Sequence, residues 1–162
     1  MERELTGTVL QNDVSAIGSL YSQLIKSWNE MNSETYSNLF TADGSIVGFD
    51  GSQANTRKEI YQHLSSIFAD HAPARYVTIT REIRILSATI GLVRAVAGMI
   101  PRNEKKINAK TNAIQSMIAV KQEDRFRIAL FQNTPAAFHG RPEDAEQLTD
   151  ELQKYFDKHG FV

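Results

Sequence analysis

Apolar residues in the first part of the chain recur with the spacing of a helix. They return every three or four positions, at Val14, Ile17, Tyr21, Leu24, Trp28 and Met31. This period places them along one face of an amphipathic helix. The polar pair Asn12-Asp13 lies directly before the face and suits a helix cap. We therefore predict a first helix that begins at this pair.

A short helix and a short strand follow. The helix is predicted over about residues 34–41, and its apolar positions are Tyr36, Leu39 and Phe40. Asp43 and Gly44 then form a turn signal, which ends the helix. The apolar residues after the turn predict a strand over residues 45–49.

A third helix begins at Thr56. Glu59 follows three residues later, which is the pattern of a capping box. The apolar face of this helix is predicted to contain Ile60, Leu64, Ile67 and Phe68.

The second half of the chain has the pattern of a β-sheet. β-Branched residues dominate four segments, residues 75–86, 89–101, 105–121 and 125–133. The connections between them are short enough for hairpins, so we predict a four-strand antiparallel meander. A final helix is predicted over about residues 142–158. It begins at Pro142, where proline is favoured, and Gly160 can end it.

Helices and antiparallel strands that occupy separate parts of the chain define an α+β protein. The predicted fold is a cone-shaped, strongly curved antiparallel sheet wrapped around the N-terminal helices, with a C-terminal helix. The open end of such a cone is a natural pocket. We expect one domain over residues 1–162, with a core over about residues 13–135.

The charge balance gives no reason to expect nucleic acid or a membrane as a partner. Lysine and arginine number 18 and aspartate and glutamate 19, so the formal net charge is −1. This gives no electrostatic footprint for nucleic acid or an anionic membrane, and we expect neither as a partner.

The chain contains no cysteine, which excludes disulfides, thiolate nucleophiles and Cys-based zinc sites. We expect a cytoplasmic location, no metal and no cofactor.

Two stretches of the chain are similar to a known family. They are WNEMNSETYSNLFTADGSIVGFDG, from Trp28, and RFRIALFQNTPAAFHGRPEDAEQLTDEL, from Arg125. Together they resemble the SgcJ/EcaC family of the SnoaL-like, nuclear transport factor 2-like superfamily, which has a cystatin-like cone fold. The resemblance implies a homodimer formed through the sheet. Members carry the label oxidoreductase, but the motif contains no redox machinery.

Two departures limit what chemistry the resemblance implies. The family often has histidine where this chain has Gln132, and glutamine cannot titrate. Ketosteroid isomerase, which has the same superfold, needs an aspartate base and an oxyanion hole of tyrosine and a second, neutral aspartic acid. The corresponding positions here are Gly48, Leu24 and Ser116. None of the three can perform the required step, so we do not expect that isomerase chemistry.

The last strand predicts two faces of different character. Its residues alternate between two sets, Phe126, Ile128, Leu130 and Gln132 on one face and Arg127, Ala129, Phe131 and Asn133 on the other. The second set mixes small and polar residues with one aromatic, as a partly hydrated cavity wall would. We therefore predict that Arg127, Phe131 and Asn133 face the cavity. The opposite assignment stays open, because both faces of a sheet in a dimeric cone can be covered.

Ten side chains are predicted to line the pocket. They are Trp28, Tyr36, Phe40, Phe49, His63, Met99, Met117, Arg127, Phe131 and Asn133. Core packing without ligand contact is an equally good interpretation of the aromatic residues and methionines, and an exposed surface position is the default for His63. No catalytic residue is assigned.

Two functions fit this interpretation. The first is a cone that binds a small, mostly apolar organic molecule, either without reaction or as the substrate of acid–base chemistry. The alternative is a non-enzymatic homodimerisation or interaction module of the same fold. An inner face with a buried polar group aimed at a void would favour the first function, and a fully packed core would favour the second.

Overall fold

The computed structural model describes residues 7–162. Three helices, α1 (Gly7–Asn29), α2 (Ser33–Asn38) and α3 (Arg57–Asp70), lie against one face of a curved sheet. The long first helix buries one apolar face in the core, at Ile17, Leu20, Tyr21, Leu24 and Ile25. The predicted capping box begins α3 as expected, since Thr56 Oγ1 accepts a hydrogen bond from the Glu59 amide at 3.0 Å.

The predicted start of α1 is wrong. Asp13 lies inside the helix instead of capping it, and only 3% of the residue is exposed. Its Oδ1 is 3.3 Å from Lys121 Nζ on a distant strand. A partner 108 residues away in the sequence cannot be recognised from a local pattern, and aspartate suits a helix cap as well as an ion pair.

Six strands form the sheet. They are β1 (Phe40–Val47), β2 (Gln53–Ala54), β3 (Arg75–Ser87), β4 (Ile90–Ile100), β5 (Ala113–Gln122) and β6 (Arg125–Pro135). Their spatial order is β2-β1-β6-β5-β4-β3. The antiparallel meander from β3 to β6 is confirmed. The sheet as a whole is mixed, however, because β1 runs parallel to β6.

Gly44 has a different role from the one that the sequence suggested. It lies within β1, where the pairing with β6 is irregular between Phe40 and Ser45. A Cβ atom at this position would lie 3.0 Å from the carbonyl oxygen of Ile128. The absence of a side chain therefore permits a close approach of two strands. The turn between α2 and β1 lies at Leu39, and not at Asp43 and Gly44.

The fourth helix, α4 (Pro142–His159), packs on the opposite face of the sheet from the other three. Its buried residues Leu148 and Leu152 form a second apolar cluster with Val77, Val96 and Ile100. These strand positions alternate with those that face the main core, such as Tyr76 and Ala97. The helix begins at Pro142 and ends at Gly160, as predicted.

The connection between β4 and β5 is longer than predicted. The sequence places a strand from residue 105, whereas β5 begins at Ala113, after a 3₁₀ turn at Ala109–Thr111. The side chain of Gln153 on α4 accepts a hydrogen bond from the Ile107 amide at 2.8 Å and donates one to the Lys105 carbonyl at 3.0 Å. These bonds replace the strand pairing that the β-branched pattern predicted.

The end of α1 is joined to the free edge of β3 by a side-chain amide. Asn29 Nδ2 donates to the Tyr76 carbonyl at 3.1 Å, and Asn29 Oδ1 accepts from the Tyr76 amide at 2.7 Å. The amide of Asn29 thus pairs with both backbone groups of Tyr76, as a neighbouring strand would. Arg102 also donates to the Asn29 carbonyl at 2.9 Å.

We predict that Asn29→Leu destabilises the protein strongly. The substitution leaves two buried backbone groups without a partner, at about 1–3 kcal/mol each, so the free energy of unfolding should fall by about 2–5 kcal/mol. Urea unfolding followed by circular dichroism measures this loss. Asn12→Leu, at an exposed position on the same helix, is the matched control. An equal effect of the two substitutions would contradict this account of the junction.

Candidate functional site

A cavity of about 440 Å³ lies between the helices and the inner face of the sheet. Its walls come from α1, α2, α3 and strands β1, β3, β4 and β6, together with the segment after β1. Most of its lining is apolar, including Ile46, Val47, Leu64, Ile67 and Pro73. The volume is in the range of about 300–1,000 Å³ that small-molecule sites usually have.

Seven of the ten side chains predicted from the sequence lie around this cavity. They are Trp28, Tyr36, Phe49, His63, Met99, Phe131 and Asn133. Phe40 and Met117 do not line it, because both are fully buried in the main core. Phe40 stacks on Tyr36, with 5.6 Å between the ring centroids, and Met117 pairs in register with Phe131. Both therefore support the cavity wall from behind.

Arg127 lies outside the cavity, and this part of the alternation is wrong. The register between β5 and β6 shifts between Ile118 and Ala119, so Ala129 has no partner in the pairing. The extra residue reverses the two faces of β6. Ile128, on the side that faces the core, is followed on that side by Phe131 instead of Leu130. Arg127 points away and donates to the Asn38 carbonyl at 2.9 Å.

The buried wall of the cavity carries polar atoms. Asn133 Nδ2 donates to the Tyr76 hydroxyl at 2.9 Å. Asn133 Oδ1 is buried and has no hydrogen-bond partner within residues 7–162. Gln115 is paired with Asn133 across the strands and accepts a short hydrogen bond from the Tyr21 hydroxyl. Its Nε2 likewise lacks a partner in the described part of the chain.

Three buried phenols surround this polar region and remain neutral. Burial raises the pKa of Tyr76 to about 12, although the hydrogen bond from Asn133 acts in the opposite direction. Burial also raises the pKa of Tyr36 and of Tyr21 well above the usual value of a phenol. The hydroxyl of Tyr36 makes no hydrogen bond to any residue from 7 to 162. The buried wall can therefore donate hydrogen bonds at neutral pH but carries no charge.

An aromatic cluster forms the wall next to the α1–β3 junction. Trp28 lies 5.5 Å from Phe68 in a T-shaped arrangement and 5.3 Å from Tyr76, measured between ring centroids. The Trp28 indole donates to the Ala74 carbonyl at 3.0 Å. Because that bond fixes the indole, its ring presents a rigid apolar surface to the cavity.

The rim of the cavity carries the groups that can ionise. His63, His71 and Asp50 all contribute to the lining. Asp50 Oδ1 accepts a hydrogen bond from the Ser52 amide at 2.9 Å. The bonds from Ser52 lower the pKa of Asp50, and the charge of His63 adds to the shift. The rim thus holds a carboxylate and two imidazoles, and imidazole is the group most often used in general acid–base chemistry.

Three polar residues of this site were not predicted from the sequence: Tyr76, His71 and Asp50. Tyr76 was not singled out, because its contact with Asn133 spans 57 residues. His71 and Asp50 lie outside the helices and strands, where no periodic pattern distinguishes a lining residue from an ordinary loop residue. Alternation along β3 would have placed Tyr76 on a sheet face, but the sequence does not say which face is inside.

The positions that correspond to the ketosteroid isomerase residues do not form a catalytic group in the described part of the chain. Gly48 lies at the cavity, Leu24 is buried in the core and Ser116 pairs with Arg94 and Gln132 on the outer face. No three histidine, aspartate or glutamate side chains between residues 7 and 162 are grouped to hold a metal ion. No helix in the same range is long and apolar enough to cross a bilayer.

Solved structures with the same fold come from several bacteria. A cystatin-like domain from Nostoc punctiforme has a TM-score of 0.72 and 20% identity, with 95% of each chain covered. An NTF-2-like protein from Shewanella oneidensis has a TM-score of 0.58 and 13% identity, over 74% of this chain and 97% of the other. A ketosteroid isomerase-like protein from Erwinia carotovora atroseptica has a TM-score of 0.62 and 14% identity, over 76% and 96%. At such identities the likeness shows the fold alone.

The family is shown by the sequence itself. Among curated proteins no sequence matches this chain significantly. The model of the SnoaL-like domain, however, matches residues 17–133. That segment contains α2, α3, strands β1 to β5 and most of α1 and β6, and hence the whole cavity lining. The chain belongs to the SnoaL-like domain family, whose members have the nuclear transport factor 2-like cone fold.

Proposed function

We propose that the cavity binds a small, mostly apolar organic molecule that carries one hydroxyl group. The observation that supports this proposal best is the unbonded Asn133 Oδ1 at the buried, uncharged wall of a mostly apolar cavity. A buried acceptor without a partner is costly. A ligand that donates a hydrogen bond to it removes that cost.

The donor and acceptor pattern specifies a hydroxyl group. Asn133 Oδ1 requires a donor from the ligand. Tyr76 accepts from Asn133 through its oxygen, and its own proton is available for donation. Tyr36, which also lines the cavity, can donate in the same way. A ligand hydroxyl can both donate to Asn133 and accept from a phenol, whereas a ketone can only accept.

The alternative function, a cone that serves only as a scaffold, predicts an inner face filled by the protein's own side chains. A cavity of about 440 Å³ with a buried unbonded acceptor argues against it. His63 and His71 line the same cavity, and imidazole groups are suited to acid–base chemistry on a bound molecule.

We predict that 2-decalol binds more tightly than 2-decalone, and 2-decalone more tightly than decalin. These probes share one apolar skeleton and differ in the oxygen group. Each additional hydrogen bond should strengthen binding about 3- to 10-fold. Trp28 is the single tryptophan and lines the cavity, so a fluorescence titration reports binding at this site.

The decisive variant is Asn133→Leu. It should reduce the preference for the alcohol over the ketone to less than about 2-fold, because it removes the acceptor. Gln132→Leu is the matched control, since Gln132 is the exposed neighbour on the other face of β6, and it should keep the preference. Equal binding of the three probes to the wild-type protein, or no binding of any, would refute the proposal.

We also infer that the protein forms a homodimer through the outer face of its sheet. Leu92, Ile118 and Leu130 form one row across β4, β5 and β6, with Ile118 in register with both neighbours. All three are half-buried. The helix α4 covers β3 and β4 at Val77, Val96 and Ile100 and leaves this row uncovered. A second copy of the sheet would bury it.

Light scattering after size-exclusion chromatography tests the dimer. We expect a dimer for the wild-type protein and a monomer for Ile118→Lys, because a charge at the centre of the row opposes its burial. Tyr61→Lys, at an exposed position of α3 on the helical side, should remain dimeric. A monomeric wild-type protein, or a dimer that survives Ile118→Lys with its thermal stability intact, would contradict the inference.

Two finer assignments remain proposals. Membership of the SgcJ/EcaC family rests on the tail motif from Arg127 to Pro135, which contains Asn133. A cytoplasmic location rests on the absence of cysteine.

A further inference from the structure

A second cavity lies between α1 and the β5–β6 hairpin. Its volume is also about 440 Å³, and it shares no lining residue with the apolar cavity. Its lining is about equally polar and apolar, and the charged and aromatic members are Asp13, Lys121, Asp124, Arg125, Phe126 and Arg127. Nothing in the proposed function uses these residues.

The floor of this cavity is a buried cation. Lys121 Nζ lies 3.3 Å from Asp13 Oδ1, and the two side chains are only 10% and 5% exposed. Lys121 Nζ also lies 5.2 Å from the centroid of the Phe126 ring, where the ring face favours a positive charge. Burying an ion pair costs more than packing apolar side chains of the same size. Core stability therefore gives no reason for a lysine at this position.

Two arginines add positive charge around the floor. Arg127 uses one guanidinium nitrogen to donate to the Asn38 carbonyl. The guanidinium group of Arg125 makes no hydrogen bond or ion pair with any residue from 7 to 162. Together with Lys121 they give three cations against the two carboxylates of Asp13 and Asp124. The lining is thus net positive in a chain whose formal charge is −1.

The hairpin that presents these groups adopts an unusual turn. Glu123 and Asp124 both have positive φ angles, 52° and 61°. Two-residue hairpin turns of this kind normally use asparagine and glycine, since side chains with a Cβ atom rarely adopt that conformation. The turn connects Lys121 at the end of β5 to Arg125 and Arg127 at the start of β6. Backbone strain of this kind tends to occur at functional sites.

We propose that this second cavity binds a small oxyanion, a carboxylate or a phosphate. Guanidinium groups bind both anions through paired N–H groups. The free donors of Arg125 and Arg127 face a void whose floor is the Lys121 ammonium. Asp13 holds Lys121 by an ion pair, and no ion pair joins Arg125 or Arg127 to a carboxylate within residues 7–162. The net positive lining attracts an anion and disfavours a cationic ligand.

Calorimetric titration with inorganic phosphate and with succinate tests the proposal, against sodium chloride at matched ionic strength. We expect at least one of the oxyanions to bind where chloride does not. Phosphate alone would identify a phosphate site, and succinate alone a carboxylate site. Binding should leave the fluorescence of Trp28 unchanged, because Trp28 lies in the other cavity. This readout separates the proposal from the binding of an apolar alcohol.

Variants locate the site. Arg125→Gln, at an exposed position, should weaken oxyanion binding about 10-fold through loss of a charge-assisted hydrogen bond. Arg84→Gln, at an exposed arginine on β3, is the matched control and should bind as the wild-type protein does. Oxyanions that bind no better than chloride, or an equal loss in both variants, would overturn the proposal.

Discussion

The pairing of Asn29 with Tyr76 is the contact on which the cone depends. β3 is an edge strand, and the amide of Asn29 satisfies the outward backbone groups of Tyr76. This bond fixes the end of α1 relative to the sheet. It also sets the positions of the side chains next to it, Trp28 on the helix and Tyr76 on the strand. Both belong to the cavity wall, so a structural joint and the candidate site share residues.

The cavity follows from how that wall is built. Its aromatic rings are held by partners outside the void, as the Trp28 indole is by the Ala74 carbonyl, and therefore do not collapse into it. The phenols are buried deeply enough to stay neutral, which makes them hydrogen-bond donors at neutral pH. Asn133 Oδ1 is an acceptor that the described protein does not satisfy. An apolar volume with this polar end suits an apolar molecule with one hydroxyl group.

Local patterns predicted the elements of the fold well. The capping box at Thr56, the antiparallel meander and the final helix from Pro142 to His159 are all encoded by residues close to one another. Contacts between distant residues could not be predicted. Asp13 was predicted to cap a helix. Its partner is Lys121, which lies 108 residues away and leaves no signal in the local sequence. Gly44 resembled a turn, whereas the structure uses it for the close approach of β6.

The candidate site shows the same limit at finer scale. Alternation along β6 placed Phe131 and Asn133 at the cavity, where they lie. It placed Arg127 there as well, and a one-residue bulge at Ala129 reversed that side chain. A bulge depends on the register with the neighbouring strand. The sequence of one strand alone does not show that register. The role of Tyr76 could not be predicted either, because its hydroxyl accepts a hydrogen bond from Asn133, which lies 57 residues away in the sequence.

The most direct test of the central claim is a crystal structure of the protein with 2-decalol. The account predicts density for the alcohol in the apolar cavity. Its oxygen should lie at about 2.7–2.8 Å, the usual O–H···O distance, from both Asn133 Oδ1 and a phenol oxygen of Tyr76 or Tyr36. A cavity closed by the protein's own side chains, or an alcohol bound with its oxygen away from Asn133, would contradict it.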